Sequence, residues 1–435
     1  MFIIRRSRVE DVSALFTLAR MVYFINLPPD ERLISKKIAQ SRVCFARVAA
    51  GVEDREEFEA APAAISGLGD DESDVFMFSI EDTDNGGVVG TSQIKAQMGG
   101  PGNPNYAFRV FQREFRSASL GFGTTHLVAR LHEDTTRPTE VGGLIIQPSY
   151  RGHRDKPGRL LSFVRFHFIG LHRSLFGERL LAEMMAPVSS AGDNVFWDHI
   201  GRKFIPVKYS EADRFCQHNR RFIDELLPKE DIYLSLLPLD VLNTVAQVSA
   251  ETVPARRLLE RLGFAYKGFI DPFDGGPHLE AVTGDVALVR DTRWTTVAGT
   301  APESKRTTHA IVSVMDGDAE FRAILQPVQI DSGGRVLLAP EHLEALRVEK
   351  GDTVGITPLT PSPSQSTGKG SGATSTSKPA AASSKGTGGK SSSKPGASKQ
   401  ARGSAPQSTK TASKKPTRNG VAPAPRKPRK PIENR

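Results

Sequence analysis

Residues 141–168 read VGGLIIQPSYRGHRDKPGRLLSFVRFHF, and the three parts of this stretch decide the fold. Val141–Gln147 is a run of the buried-strand type, Pro148–Gly158 is a polar loop, and Arg159–Leu175 is an apolar-rich helix. The first N–H groups of a helix have no partner within it, and its dipole favours an anion at that end. Arg151, Arg154, Lys156 and Arg159 add positive charge on the same loop, while Gly152 and Gly158 let the backbone come close. So many cations suit a pyrophosphate better than a single carboxylate. An ordinary solvated strand–helix connection has a similar composition, so the loop alone does not name its ligand.

On the N-terminal side, Phe2-Ile3-Ile4 is a short β run, and Val12, Leu15, Phe16 and Leu18 follow at helical spacing. Val75–Ile80 and Val88–Ile94 are β-rich and flank a turn-rich loop, the pattern of an antiparallel hairpin. On the C-terminal side, Leu180–Met185 is another strand and Asn194–Ile200 a short helix capped by Gly201. This order implies an α/β (α+β) fold with a sheet of mixed direction. A short helix ending in Gly and then Phe occurs near Gly201–Phe204 and again at Gly263-Phe264. Both a partly duplicated unit and the common chemistry of helix ends account for that echo. Ala310–Leu359 has the short strands of a small β-rich domain.

The expected division is therefore 1–210, 211–300, 301–360 and a tail, 361–435. The net charge of +9 over 435 residues belongs to that tail, which has 16 Lys/Arg against Glu433 alone. The remaining body carries −6, which argues against a nucleic-acid-binding body. Rich in Ser, Lys, Gly and Pro, the tail cannot bury enough apolar surface to offset its ordering entropy, and disorder is expected. Its partner, if it has one beyond solvent, is a polyanion such as nucleic acid held by weak counterion release. Cys44 and Cys216 are too few for a disulfide framework, which points to a reducing cytoplasm. No apolar run reaches the roughly 18 residues a membrane span needs.

The element order over Phe2–Ala19, Val75–Ile94, Val141–Phe168 and Leu180–Phe204 resembles that of GNAT N-acyltransferases. That resemblance implies that Arg151–Arg159 wraps the CoA pyrophosphate. A closer similarity, over roughly residues 1–360, is to the arginine N-succinyltransferase family. Ala182-Glu183-Met184, Phe196-Trp197, Gly201-Arg202-Lys203-Phe204, Pro254-Ala255-Arg256 and Ile270-Asp271-Pro272-Phe273-Asp274-Gly275-Gly276-Pro277-His278-Leu279-Glu280 carry it. The resemblance implies transfer of succinyl from succinyl-CoA, a co-substrate, to the α-amine of arginine in arginine catabolism, with no prosthetic group. It also implies acyl-CoA contact at Leu144. The family's general-acid histidine falls on Ser249 in this chain.

A mostly protonated α-amine must lose a proton before it can attack a thioester, and a serine is a poor base. His278, Glu280 and Glu140 are the candidates to replace the imidazole, with His278 first because a histidine titrates nearest neutrality. Backbone N–H groups near Gly142–Ile145 are candidate donors to the thioester oxyanion. Asp271 and Asp274 are candidate partners of a cationic acceptor, although an Asp-Gly-Gly turn also uses its Asp to cap itself. His167 and His172, five apart without accompanying ligands, are expected to be packed and not to hold metal. No Gly-x-Ser-x-Gly elbow supports a serine hydrolase. The alternatives are a homologue that acylates another amine and a catalytically weakened acyl-CoA-binding regulatory module.

Overall fold

A computed structural model describes residues 1–21, 27–51, 73–100, 104–189, 192–216 and 220–359. The basic tail and the disorder expected of it lie outside the described residues. The chain opens with β1 (Phe2–Arg6), α1 (Val12–Met21) and α2 (Glu31–Ala49). Asp30 starts α2 by accepting the N–H groups of Arg32 and Leu33. β2 (Val75–Asp82) and β3 (Gly87–Lys95) form the expected hairpin. A second, longer hairpin follows, β4 (Asn105–Ser117) and β5 (Phe122–Asp134), which the sequence reading did not anticipate. Its outer half is exposed, so its charged residues read as loop.

The deciding stretch becomes β6 (Thr139–Ile146), a loop and α3 (Pro157–Leu171), and β7 (Arg179–Glu183) comes next. The helix starts two residues before the expected Arg159 because Pro157 suits the first helical turn. Gly158 therefore sits in that turn and not in the loop. Short helices α4 (Val195–His199), α5 (Gly201–Phe204), α6 (Tyr209–Cys216) and α7 (Arg221–Leu226) precede β8 (Ile232–Tyr233) and α8 (Leu239–Leu242). They pack with β4 and β5 around Phe108, Phe196, Trp197 and Phe273. Gly201 starts α5 instead of capping α4: a Cβ there would lie 2.2 Å from the Trp197 ring.

α9 (Val253–Arg261) does end in a glycine cap, with the Gly263 N–H donating to Glu260 and that of Phe264 to Leu259. The two Gly–Phe ends of the sequence echo thus do different work. After β9 (Ala265–Ile270), β10 (Pro277–Val282) and α10 (Ala287–Arg290) come β11 (Arg293–Thr300), β12 (Thr308–Met315), β13 (Phe321–Ile330), β14 (Val336–Leu338), α11 (Pro340–Leu346) and β15 (Thr353–Pro358).

The main sheet runs β13-β1-β2-β3-β6-β7-β10-β9-β4-β5-β8. Its neighbours are antiparallel except β6 and β7, which are parallel and joined through α3. The late strands close a small barrel, because β12 pairs with both β13 and β15, β15 with β11, β11 with β14, and β14 with β13. Val312, Ile324, Val336 and Ile356 are among its buried core. β13 also pairs with β1, so the barrel shares a strand with the main sheet. His167 of α3 packs against the barrel, bonded to Thr357 and Ser313 at 2.6 Å each, and burial holds it neutral with a pKa lowered to about 3. One face of the main sheet is covered by α3, with Phe45 from the end of α2, around Phe76, Phe78, Leu160 and Phe168; α1 and the first half of α2 cover the other through Leu15, Ile34, Met77 and Ile145. The mixed α/β architecture expected from the sequence is the one observed.

Candidate active site

β6 and β7 are paired only at Thr139–Leu180 and Glu140–Leu181. Beyond Glu140 the two parallel strands part, and among the described residues β6 stays paired with β3 alone. A bulge sits in the same place, where Gly143 and Leu144 fall between the pairs Gly142–Gln93 and Ile145–Thr91. Gly143 takes φ +60, the left-handed conformation that glycine adopts without steric cost. In a strand bonded on one side, alternate N–H groups point away from the partner, so this stretch offers main-chain donors to the gap. Gly142, Leu144 and Ile146 are partly open to solvent there, which puts the expected contact residue Leu144 on the wall of the gap.

The loop that leaves this gap is fixed before any ligand arrives. Tyr150 donates its hydroxyl to Asp82 at 2.8 Å, and His153 meets the Phe2 ring edge-on at 5.1 Å. Gly152 has φ +79 and Lys156 φ 50, so the chain turns sharply into α3. Among the described residues, the N–H groups of Gly152, Arg154 and Gly158 meet no acceptor. Arg159 lies over the Phe163 ring at 5.0 Å, and Arg151 reaches Glu251 at 3.2 Å. The latter contact ties the loop to the segment that carries Ser249.

On the opposite sheet face from α3, acidic side chains converge at the opening of the gap. The register pairs His278 of β10 directly with Glu183 of β7, two residues past the last β6–β7 pair. His278 Nε2 stands 3.8 Å from Glu183 Oε1, is buried, and among the described residues has no hydrogen-bond partner. Asp271 completes the group, with one ligand atom from each of these three residues within 4.8 Å of the others. Asn105 donates to Glu183 Oε1 at 3.1 Å and accepts from Arg220 at 3.1 Å. That spacing suits a nitrogen cation, and it would also suit a metal ion.

Burial first, then Asp274 and Glu183, push the Asp271 carboxyl up to about 7. Burial and Asp271 do the same to Asp213 on α6, also to about 7. Glu140 is raised by burial and by Glu183. Several carboxyls therefore hold protons near neutrality that a bound cation would displace.

Asp274 has a different task from Asp271. Its oxygens accept the N–H groups of Gly276 at 2.7 Å and Ala186 at 2.9 Å, so it clamps the turn to the end of β7. A Cβ at Gly276 would lie 2.0 Å from the Met184 carbonyl oxygen, which only glycine permits. Asp271 uses one oxygen to accept the N–H groups of Phe273 and Asp274, leaving the other for the cluster. The Phe-Asp-Gly-Gly-Pro segment thus builds the wall on which Asp271 and His278 stand.

Glu280 is on the same sheet face but is engaged by Arg179 at 2.5 Å and Lys267 at 3.7 Å, and so serves as an ion-pair anchor. Ser249 donates its N–H to the Met185 carbonyl at 3.0 Å, just beyond β7, and shares a 2.7 Å hydroxyl contact with Thr252. It lies beside the mouth of the gap.

The arginine N-succinyltransferase beta-subunit family matches residues 2–288, and the C-terminal domain of that family matches residues 293–358. The chain belongs to this family. Within the family, a protein of Yersinia pestis strain Pestoides F named arginine N-succinyltransferase is 36% identical over 305 residues, covering 65% of this chain and 82% of its own. One of the same name from Photorhabdus laumondii is 34% identical over 287 residues, with 66% and 82% covered. The solved structure of arginine/ornithine succinyltransferase subunit AI from Pseudomonas aeruginosa superposes with a TM-score of 0.66 at 25% identity, covering 82% of this chain and 98% of that one.

Of the residues expected from sequence, His278, Asp271 and Glu140 face the opening of the gap, and Leu144 lines it. Glu183, Asp213, Asn105 and Arg220 were not anticipated. Glu183 carried a trace of signal, an acidic residue closing an apolar strand; the others come from distant segments and carried none.

Proposed function

We propose that the chain is an arginine N-succinyltransferase that moves succinyl from succinyl-CoA to the arginine α-amine. The observation that carries this reading is the parting of β6 and β7 at Glu140, with a cation-seeking acidic cluster on one side and an anion-seeking loop at the far end. CoA runs from the Arg151–Arg159 loop along the Leu144 wall, its pyrophosphate on the loop amides and its thioester at the bulge. Arginine enters from the acidic face. No helix among the described residues is long and apolar enough to cross a membrane, and both substrates are small polar molecules.

The ammonium first gives a proton to the His278–Glu183 pair, with Glu140 across the gap as a second acceptor. The freed nitrogen attacks the thioester carbon, and the carbonyl oxygen becomes an oxyanion facing the N–H groups of the Gly142–Ile145 bulge. The C–S bond then breaks as the amide forms, and the nitrogen loses its second proton. One of the two protons ends on the CoA thiolate and the other is released to solvent. Ser249, beside the mouth, donates a hydrogen bond to the departing sulfur in place of an imidazole.

Thiol release should be followed with succinyl-CoA and acetyl-CoA against arginine, ornithine, lysine and citrulline, with the 361–435 tail present and deleted. Turnover with succinyl-CoA and arginine, much reduced with uncharged citrulline, is expected from the acidic cluster. CoA binding without turnover of any pair would reject the enzyme reading in favour of a regulatory acyl-CoA-binding module.

A further inference from the structure

The far face of the gap contains a charge for which the mechanism above has no use. Arg165 reaches from α3 to the main chain of β6 at Gly142, where the bulge begins, and is almost wholly buried, with 2% exposure. Its Nη1 donates to the Gly142 carbonyl at 3.2 Å, its Nε to the Ser162 carbonyl at 3.2 Å, and its Nη2 to the Ser162 hydroxyl at 2.9 Å. All three acceptors are neutral. Among the described residues, no carboxylate lies within 4.0 Å of this guanidinium, and Glu140 acts on it only through space. Burial lowers its pKa to about 10. A buried cation with no contacting anion is destabilising, and an apolar side chain would fill the same site without that cost.

The position suggests what offsets the cost. Arg165 is eight residues into α3, about 12 Å from the loop at the helix start. Gly142 is four residues back along β6 from Ile146, about 13 Å from the same loop. The guanidinium therefore meets the sheet at the level of the bulge, where the thioester end of a CoA held by the loop would lie.

We propose that Arg165 is the receptor for the distal carboxylate of the acyl chain, and so selects succinyl-CoA over uncharged acyl-CoAs of the same length. The inference rests on the acyl-CoA reading of the gap and adds the residue that sets acyl specificity. Nη1 and Nη2 each keep a second hydrogen beyond the three bonds described, available to a carboxylate oxygen. Arg159, further up the helix, stays with the pyrophosphate.

Butyryl-CoA is the discriminating probe, because it has the succinyl length with a methyl in place of the carboxylate. Affinity by calorimetry and kcat/KM with arginine should be measured for both thioesters on the wild-type chain, Arg165→Met and Arg165→Lys. Wild type is expected to favour succinyl-CoA by about 100-fold or more. Arg165→Met should lose about 100-fold with succinyl-CoA, stay within about threefold with butyryl-CoA, and so abolish the preference; Arg165→Lys should keep part of it.

Equal losses on both thioesters would make Arg165 structural and overturn the proposal, as would an unchanged preference. If Arg165→Met does not fold, the wild-type comparison still decides, since equal binding of the two thioesters also overturns it. Absence of turnover with arginine would reject the assigned reaction alone, because the binding preference is read without an acceptor.

Discussion

Binding of arginine should expel protons from the acidic cluster, and the number can be worked from the groups present. Burial and repulsion from neighbouring carboxylates push Asp271 and Asp213 each up to about 7, so near neutrality the pair retains protons that exposed carboxylates would have lost. A guanidinium or ammonium bound beside them favours the ionised forms and releases up to roughly one proton per arginine bound. The dissociation constant for arginine should then fall by up to about tenfold per pH unit near neutrality, although arginine itself keeps its charge throughout. Calorimetric titration in buffers of different ionisation enthalpy counts the protons directly. Asp271→Asn should cut the count by more than half, because it also removes the charge that raises Asp213, and should weaken binding.

The same variant gives an independent check on stability. The folded state holds the Asp271 proton more tightly than the unfolded chain, so its contribution is fullest below the ordinary aspartate range and is lost as pH rises through about 7. Asp271→Asn should accordingly melt a few degrees above wild type at pH 8 and show no such advantage at pH 4. Arginine binding with no buffer-dependent heat, together with an affinity flat from pH 5.5 to 8, would refute the reasoning.

Other outcomes follow from single contacts. Gly276→Ala should destabilise the chain by about 3 kcal/mol in urea unfolding, because its Cβ meets the Met184 carbonyl oxygen at 2.0 Å and backbone must move. His278→Ala should lower kcat by about 100-fold with little change in succinyl-CoA affinity, and an unchanged kcat would remove it as the proton acceptor. Zinc should inhibit in competition with arginine and not with succinyl-CoA, since Glu183, Asp271 and His278 present ligand atoms within 4.8 Å of one another.

How much of this was legible in the sequence depended on how local the signal was. Val141–Phe168 announced its strand, loop and helix because each has its own periodicity and the punctuation is local. The bulge at Gly143 and the loss of pairing past Glu140 were only partly legible: the glycines were visible, but the register that makes them a gap depends on β3 and β7. Asp271 and Asp274 both stood as partners of a cation, with self-capping of the turn as the other reading of Asp274, and the hydrogen bonds from Gly276 and Ala186 show that Asp274 is a clamp. Glu280 looked as available as His278 until Arg179 and Lys267 were found against it. Arg165 sat unnoticed in an apolar helix, since its meaning lies in what it does not touch.

The most direct test of the account is the identity of the product formed from succinyl-CoA and arginine. Tandem mass spectrometry should locate the succinyl group on the arginine α-nitrogen, in one-to-one proportion with released CoA thiol. Free thiol without a succinylated product, or succinyl on a side-chain nitrogen, would contradict the placement of the arginine α-amine at the β6–β7 gap.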